Sequence, residues 1–258
     1  MDGENVKLFL DANHKENIEK AADNLKSVLI PTPLIRSDFF SGEHSCNVYI
    51  KPENLQRTGS FKIRGAYNKI SNLTDEEKGH GVISSSAGNH AQGVAYAARE
   101  SRIKSTIVMP NITPLLKIEA TKAYGSKVIL HGDAYDEAYR RAMELAEKEG
   151  YTFVHPFDDY EVICGQGTIG LEIMDALPDV DEILVPIGGG GLIAGIALAV
   201  KSIKPSVKII GVTPVGAMAM KISLEEGQVS RLAALKTIAE GVAVKQPGDL
   251  TFAFTKKY

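Results

Sequence analysis

Across residues 82–212, short apolar runs alternate with amphipathic runs of helical length, and that rhythm limits the folds open to the chain. Strands are expected at Val82–Ser85, Ser105–Met109, Lys127–Leu130, 153–154, 182–187 and Lys208–Val212. Between them the 3.6-residue period predicts helices at Asn89–Glu100, 113–125, 133–150, 160–177 and 191–201. Thr113 and Pro114 read as N-cap and first helical residue, Asp133 as a cap, and Gly150 as a stop. Strands that alternate with helices of this length form parallel sheets covered on both faces. The fold class is therefore α/β, with two open, mainly parallel sheets. Residues 78–154 form a compact block of their own, and 1–77 plus 155–258 are expected to share a second sheet. Before this region, 14–28 reads as an amphipathic helix and 47–51 as a short strand. A cleft between two such domains is where a ligand is expected.

Glycine then marks where the chain approaches that ligand. Val185-Pro186-Ile187-Gly188-Gly189-Gly190-Gly191-Leu192-Ile193-Ala194 reads as strand, glycine loop and helix start. Side chains do not block the loop backbone there, and the free N–H groups of the helix start face outward as an anion site. The plain alternative is a tight turn without a ligand. Gly189-x-Gly191-x-x-Ala194 also matches a dinucleotide fingerprint, which requires a carboxylate at the end of the next strand. No Asp or Glu occurs anywhere in 183–224, so a phosphate monoester suits the loop better than NAD, and a divalent cation is not expected there.

Two further stretches complete a chemistry. Thr58-Gly59-Ser60-Phe61-Lys62-Ile63-Arg64-Gly65-Ala66 places a lysine at a helix start, with Ser60 as N-cap and Phe61, Ile63, Ala66, Tyr67 and Ile70 as an apolar stripe. The positive helix end and the apolar surroundings both disfavour the ammonium form, and a neutral amine is a nucleophile, a base or a Schiff-base former. Ser84-Ser85-Ser86-Ala87-Gly88-Asn89-His90-Ala91-Gln92-Gly93 offers hydroxyls, an amide, an imidazole and helix amides with no acid, which suits a carboxylate. A neutral lysine, a phosphate cradle and a carboxylate turn are what a phosphorylated aldehyde acting on an amino acid needs. Pyridoxal 5′-phosphate is that cofactor.

As an ordered set, the lysine stretch, the Ser86–Gly93 turn and Gly188-Gly189-Gly190-Gly191-Leu192 resemble the threonine/serine dehydratases, members of the fold-type II (tryptophan-synthase-β-like) pyridoxal-phosphate enzymes. Ile63 and His90 point to this branch rather than to the cysteine-synthase-like one. The resemblance implies that Lys62 holds the cofactor as a Schiff base and later takes the substrate α-proton. It implies that Phe61 packs beside the cofactor, that Asn89 bonds its 3′-oxygen, and that Gly188, Gly189, Gly190, Gly191 and Leu192 bind its phosphate. Ser86, Ala87, Asn89 and His90 would receive the substrate carboxylate. The implied reaction removes the β-hydroxyl of L-threonine or L-serine, and the aminoacrylate-type product then hydrolyses to 2-oxobutanoate or pyruvate plus ammonia, in a homo-oligomer. Biosynthetic and catabolic versions share these motifs. The related serine racemases carry a serine at the position of Ala87, so dehydration is expected to exceed racemisation. Thr213-Pro214-Val215-Gly216-Ala217 lacks the carboxylates of metal-binding relatives, so no metal is expected. The family chain continues beyond the stretch matched by Gly248-Asp249-Leu250-Thr251, so the sequence reads as C-terminally truncated, with weak cofactor retention expected. The alternative function is a catalytically impaired scaffold that serves as a binding domain.

The remaining features exclude rather than assign. A net charge of −3, without a basic block, gives no footing for nucleic acid or an anionic membrane. Cys46 and Cys164 fit no metal or redox spacing and are expected as free thiols. The polar, acidic start is not a signal peptide and no run is long enough to span a bilayer, so the cytoplasm is the expected compartment.

Overall fold

The computed structural model describes Val6 and residues 9–258. Helix α1 (His14–Leu25) starts where Asn13 Oδ1 accepts the Glu16 N–H, and it buries Ile18, Ala21 and Leu25. Strand β1 (Ile35–Arg36), helix α2 (Asp38–His44) and strand β2 (Tyr49–Ile50) follow, with β1 and β2 antiparallel. Next come α3 (Lys62–Ser71) and α4 (Asp75–His80). Thr74 and Glu77 cap α4 reciprocally.

The regular alternation then forms one parallel sheet. Its elements are β3 (Val82–Ser85), α5 (Asn89–Glu100), β4 (Ser105–Met109), α6 (Leu115–Lys122), β5 (Lys127–Leu130), α7 (Tyr135–Glu149) and β6 (Thr152–Phe153). The strand order is β5-β4-β3-β6, with all pairings parallel. Strand residues alternate between the two faces. Val82, Ile107 and Met109 therefore meet Ala66, Ile70, Val94 and Ala97 of α3 and α5, while Ile83 and Val108 meet Ala138 and Ala142 of α7. Helices thus cover both faces.

The rest of the chain is α8 (Tyr160–Ala176), β7 (Glu182–Pro186), α9 (Gly191–Ile203), β8 (Lys208–Val212), α10 (Ala219–Glu226) and α11 (Asp249–Lys257). β7 and β8 form a second parallel sheet. The β1–β2 pair stays separate from it, so the segments flanking 78–154 contribute two small sheets rather than one. The contact between α8 and α9 is a backbone contact. A Cβ on Gly195 would lie 2.3 Å from the Ile163 carbonyl oxygen, far inside van der Waals range. Gly65 makes a similar close approach between α3 and α8, since its Cβ would meet the Val162 carbonyl at 2.7 Å. These glycines seat the lysine helix on the central helix pair.

Several helix starts differ from expectation because a nearby group competes for the cap. Pro114 occupies the N-cap of α6 with ψ 136°, and the Thr113 hydroxyl turns back to the Pro110 carbonyl. Ala134, not Asp133, caps α7, and Glu137 Oε2 accepts the Asp133 and Ala134 N–H groups. Phe61 takes the N-cap position of α3, while Ser60 Oγ accepts the Lys62 N–H at 3.4 Å. The strand expected at 47–51 shortens to Tyr49–Ile50. Among the described residues no helix is long and apolar enough to cross a membrane.

Candidate active site

Lys62 opens α3, and its Nζ donates to the Pro156 carbonyl at 2.7 Å. Burial of the amine lowers its pKa to about 8, so near neutrality it sheds its proton far more readily than a surface lysine. Phe61 lies beside it, with the amine 5.4 Å from the ring centroid. Two residues on, Arg64 is completely buried and forks onto Glu53 at 2.8 Å through both Nε and Nη2. Its Nη1 reaches Glu172 at 2.5 Å and Thr168 at 3.0 Å. Burial works against that charge, but the hydrogen bonds to Glu53 and Glu172 hold it on, and the pKa rises. Lys51 adds a second cation on Glu172, which keeps the cluster neutral. The cluster pins α3 to α8 and so fixes the base of Lys62.

The Ser86–Gly93 turn reaches the same place. Helix α5 passes over the lysine at Gly93, where a Cβ would lie 3.1 Å from the Lys62 carbonyl carbon. The α5 start has Gly88 at its N-cap with no side-chain bond, so its first N–H groups face outward. Ser86 Oγ accepts the Gly88 N–H, Ala87 is half-buried, and Asn89 is exposed at the opening. His90 is not a helix-surface residue: it is 3% exposed and donates Nε2–H to the Val154 carbonyl at 2.9 Å. Burial first, and the neighbouring Lys62 charge second, drive its pKa down to about 3, so the ring is neutral. Its Nδ1 and the Ser85 hydroxyl are buried with no partner among the described residues.

The glycine loop supplies the third side. Gly190, at φ +100°, is the N-cap of α9, and no side chain caps that helix. The N–H groups of Gly188, Gly189, Gly190, Gly191 and Leu192 find no acceptor among the described residues. Leu192 and Phe61 pack on one apolar cluster with Ile187 and Ile193, which ties the loop to the lysine stretch. The loop also leans on residues 155–158, which follow β6. A Cβ on Gly189 would lie 2.3 Å from the Phe157 ring, and Thr251 Oγ1 donates to the Gly189 carbonyl at 2.6 Å. Residues 155–158 thus touch the lysine through Pro156 and the loop through Phe157. The available signal was a histidine before a proline directly after a strand, His155-Pro156, a place where an extended turn is imposed.

These donors fit a phosphorylated aldehyde that acts on an amino acid. A weakly basic amine stands between two uncapped helix starts, one glycine-lined, and orphaned polar atoms remain behind the other. The described residues contain no cluster of three or more His, Cys, Asp or Glu side chains placed to share a metal.

Fold and site together describe an α/β protein with a buried lysine amine near two helix starts that no side chain caps. The chain matches the family of pyridoxal-phosphate dependent enzymes over residues 25–258 and belongs to it. It is 54% identical over 243 residues to an L-threonine ammonia-lyase of Thermotoga maritima, covering 94% of this chain and 61% of that one. It is 46% identical to the catabolic L-threonine dehydratase of Escherichia coli, covering 94% of this chain and 74% of that one. The processed threonine deaminase isoform 2 of Solanum lycopersicum superposes with a TM-score of 0.90 at 46% identity, over 100% of this chain and 69% of that one. Maize serine racemase superposes at 0.91 and 36% identity, over 94% of this chain and 73% of that one. The chain therefore spans about three-fifths of the length of its Thermotoga relative.

Proposed function

We propose that this chain carries pyridoxal 5′-phosphate on Lys62 and serves the elimination of water from L-threonine or L-serine; the enamine released then takes up water, giving 2-oxobutanoate or pyruvate and ammonia. The observation that carries this reading is the Lys62 amine, buried and lowered to about pKa 8 between two uncapped helix starts. The names of the Thermotoga and Escherichia relatives support threonine. The bound cofactor supplies an electron sink for charge developing at the substrate α-carbon.

The chain's own groups do the rest. The amides of Gly188, Gly189, Gly190, Gly191 and Leu192 take the phosphate at the positive end of α9. Ser86, Ala87, Asn89 and His90 take the substrate carboxylate at the α5 start, where no acidic side chain repels it. The neutral His90 ring is engaged with the Val154 carbonyl through Nε2–H, so His90 offers the carboxylate its backbone N–H at the helix start and adds no charge. Phe61 shields one side of the lysine. The Lys62 amine moves the α-proton, a task its lowered pKa suits near neutrality. In this reading 78–154 is a small carboxylate-binding domain, and 1–77 with 155–258 is the larger cofactor domain.

The test is incubation of the cofactor-loaded chain with L-threonine and L-serine, measuring 2-oxo acid and ammonia alongside D-serine. The proposal expects 2-oxo acid from the parent, none from Lys62→Ala, and D-serine well below pyruvate. No turnover by a cofactor-loaded parent would sink it.

A further inference from the structure

The 155–158 turn meets both the lysine and the glycine loop. Lys62 donates to the Pro156 carbonyl at 2.7 Å. The Phe157 ring lies under Gly189, and the Phe157 backbone lies under Gly191, where a Cβ would be 3.0 Å from Phe157 Cα. Asp158 Oδ1 accepts the Leu250 and Thr251 N–H groups, and Oδ2 accepts that of Asp249, so one carboxylate caps α11. Thr251 in turn holds the Gly189 carbonyl. A four-residue turn thus couples the lysine, the glycine loop and the last helix.

What shapes this turn is an imidazole. His155 Nδ1 accepts the Asp158 N–H at 2.7 Å and the Phe157 N–H at 3.3 Å, closing the chain back on itself. The ring also stands edge-on to Phe157, with centroids 4.7 Å apart and planes at 89°. An acceptor of two backbone N–H groups must be unprotonated at that nitrogen. Burial favours that state by pulling the His155 pKa down to about 4, with Asp159 opposing and Lys62 assisting. With Nδ1 occupied by the turn, that nitrogen has no free lone pair to offer a substrate.

We propose that His155 is a positioning residue: its Nδ1 closes the 155–158 turn, so that the Pro156 carbonyl holds the Lys62 amine while Phe157 braces the glycine loop. The role rests on the reading of Lys62 as the cofactor lysine, but its geometry can be measured without cofactor. Asparagine places Oδ1 at the same bond distance from the backbone as Nδ1 and accepts the same N–H groups. Leucine fills the space and accepts nothing.

The experiment compares the parent, His155→Asn and His155→Leu. One readout is the pH profile of Lys62 acylation by an amine-reactive reagent in the cofactor-free chain, followed by peptide mass analysis. The other readouts are the pyridoxal-phosphate dissociation constant and the melting temperature. His155→Asn should keep the Lys62 profile and bind cofactor like the parent. His155→Leu should lower the Lys62 midpoint below the parent's, because the amine loses the carbonyl acceptor that favours its charged form while the site stays filled, and should weaken cofactor binding about tenfold, the loss of roughly one buried hydrogen-bond set. A folded leucine variant that matches the parent in both readouts overturns the proposal. So does an asparagine variant as impaired as the leucine one. If the leucine variant does not fold, the asparagine profile decides: parent-like supports the role, and a shifted profile overturns it. Retention of cofactor by Lys62→Ala would overturn the functional reading alone, since the acylation profile is read in its absence.

Discussion

Arg64→Met should cost this fold more than any surface change. The guanidinium is 0% exposed and lies among Glu53, Glu172 and Lys51, two cations against two anions. Methionine removes one cation and leaves a net buried charge of −1. Glu53 bears most of the loss: its side chain is 11% exposed and would retain the Thr32 hydroxyl at 2.6 Å as a donor. Glu172 is 35% exposed and keeps Lys51, so solvent and that amine offset its share. Breaking a buried pair from one side costs about 3–5 kcal/mol, against a total stability of roughly 5–15 kcal/mol for a domain. Urea unfolding followed by circular dichroism measures the change. Pairing the variant with Glu53→Gln should recover about 2 kcal/mol, because the stranded charge is then gone. A loss below about 1 kcal/mol, or strict additivity of the two substitutions, would refute the reasoning.

Two more outcomes follow from the same geometry. His90 and His155 have folded pKa values of about 3 and about 4 against an ordinary 6.5, so the unfolded chain takes up their protons first on acidification. Stability should be complete above pH 6.5 and fall below it toward pH 4, by up to about 1.4 kcal/mol per pH unit for each histidine. Urea titrations at stepped pH measure this, and a flat profile between pH 6 and 4.5 would contradict it. Gly189→Ala should cost roughly 1–3 kcal/mol and weaken cofactor binding, because its methyl would meet the Phe157 ring at 2.3 Å. Phe157→Leu should relieve part of that loss in thermal melts and cofactor titrations.

The sequence made the parallel sheet readable because its strands and helices obey local periods. Val82–Ser85, Asn89–Glu100, Ser105–Met109 and Lys127–Leu130 begin and end where hydrophobic spacing and glycine place them. Caps were less legible, since Glu137 reaches back to two N–H groups and displaces Asp133 from that role. Lys62, the Ser86–His90 turn and the glycine loop were visible as residue types. Their convergence rests on long-range contacts, such as Gly93 against Lys62 and Phe157 against Gly189. The 155–158 turn carried no motif of its own. His155 acts there through backbone N–H groups two and three residues away, in a geometry that only the fold sets.

Covalent trapping tests whether pyridoxal phosphate attaches at Lys62. The purified chain would be loaded with pyridoxal phosphate, reduced with borohydride, digested and mapped by mass spectrometry. A stable cofactor adduct is expected on the peptide that contains Lys62, lost in Lys62→Ala together with the visible absorbance of the loaded protein. An adduct confined to other lysines, or undiminished absorbance in Lys62→Ala, would contradict attachment at Lys62.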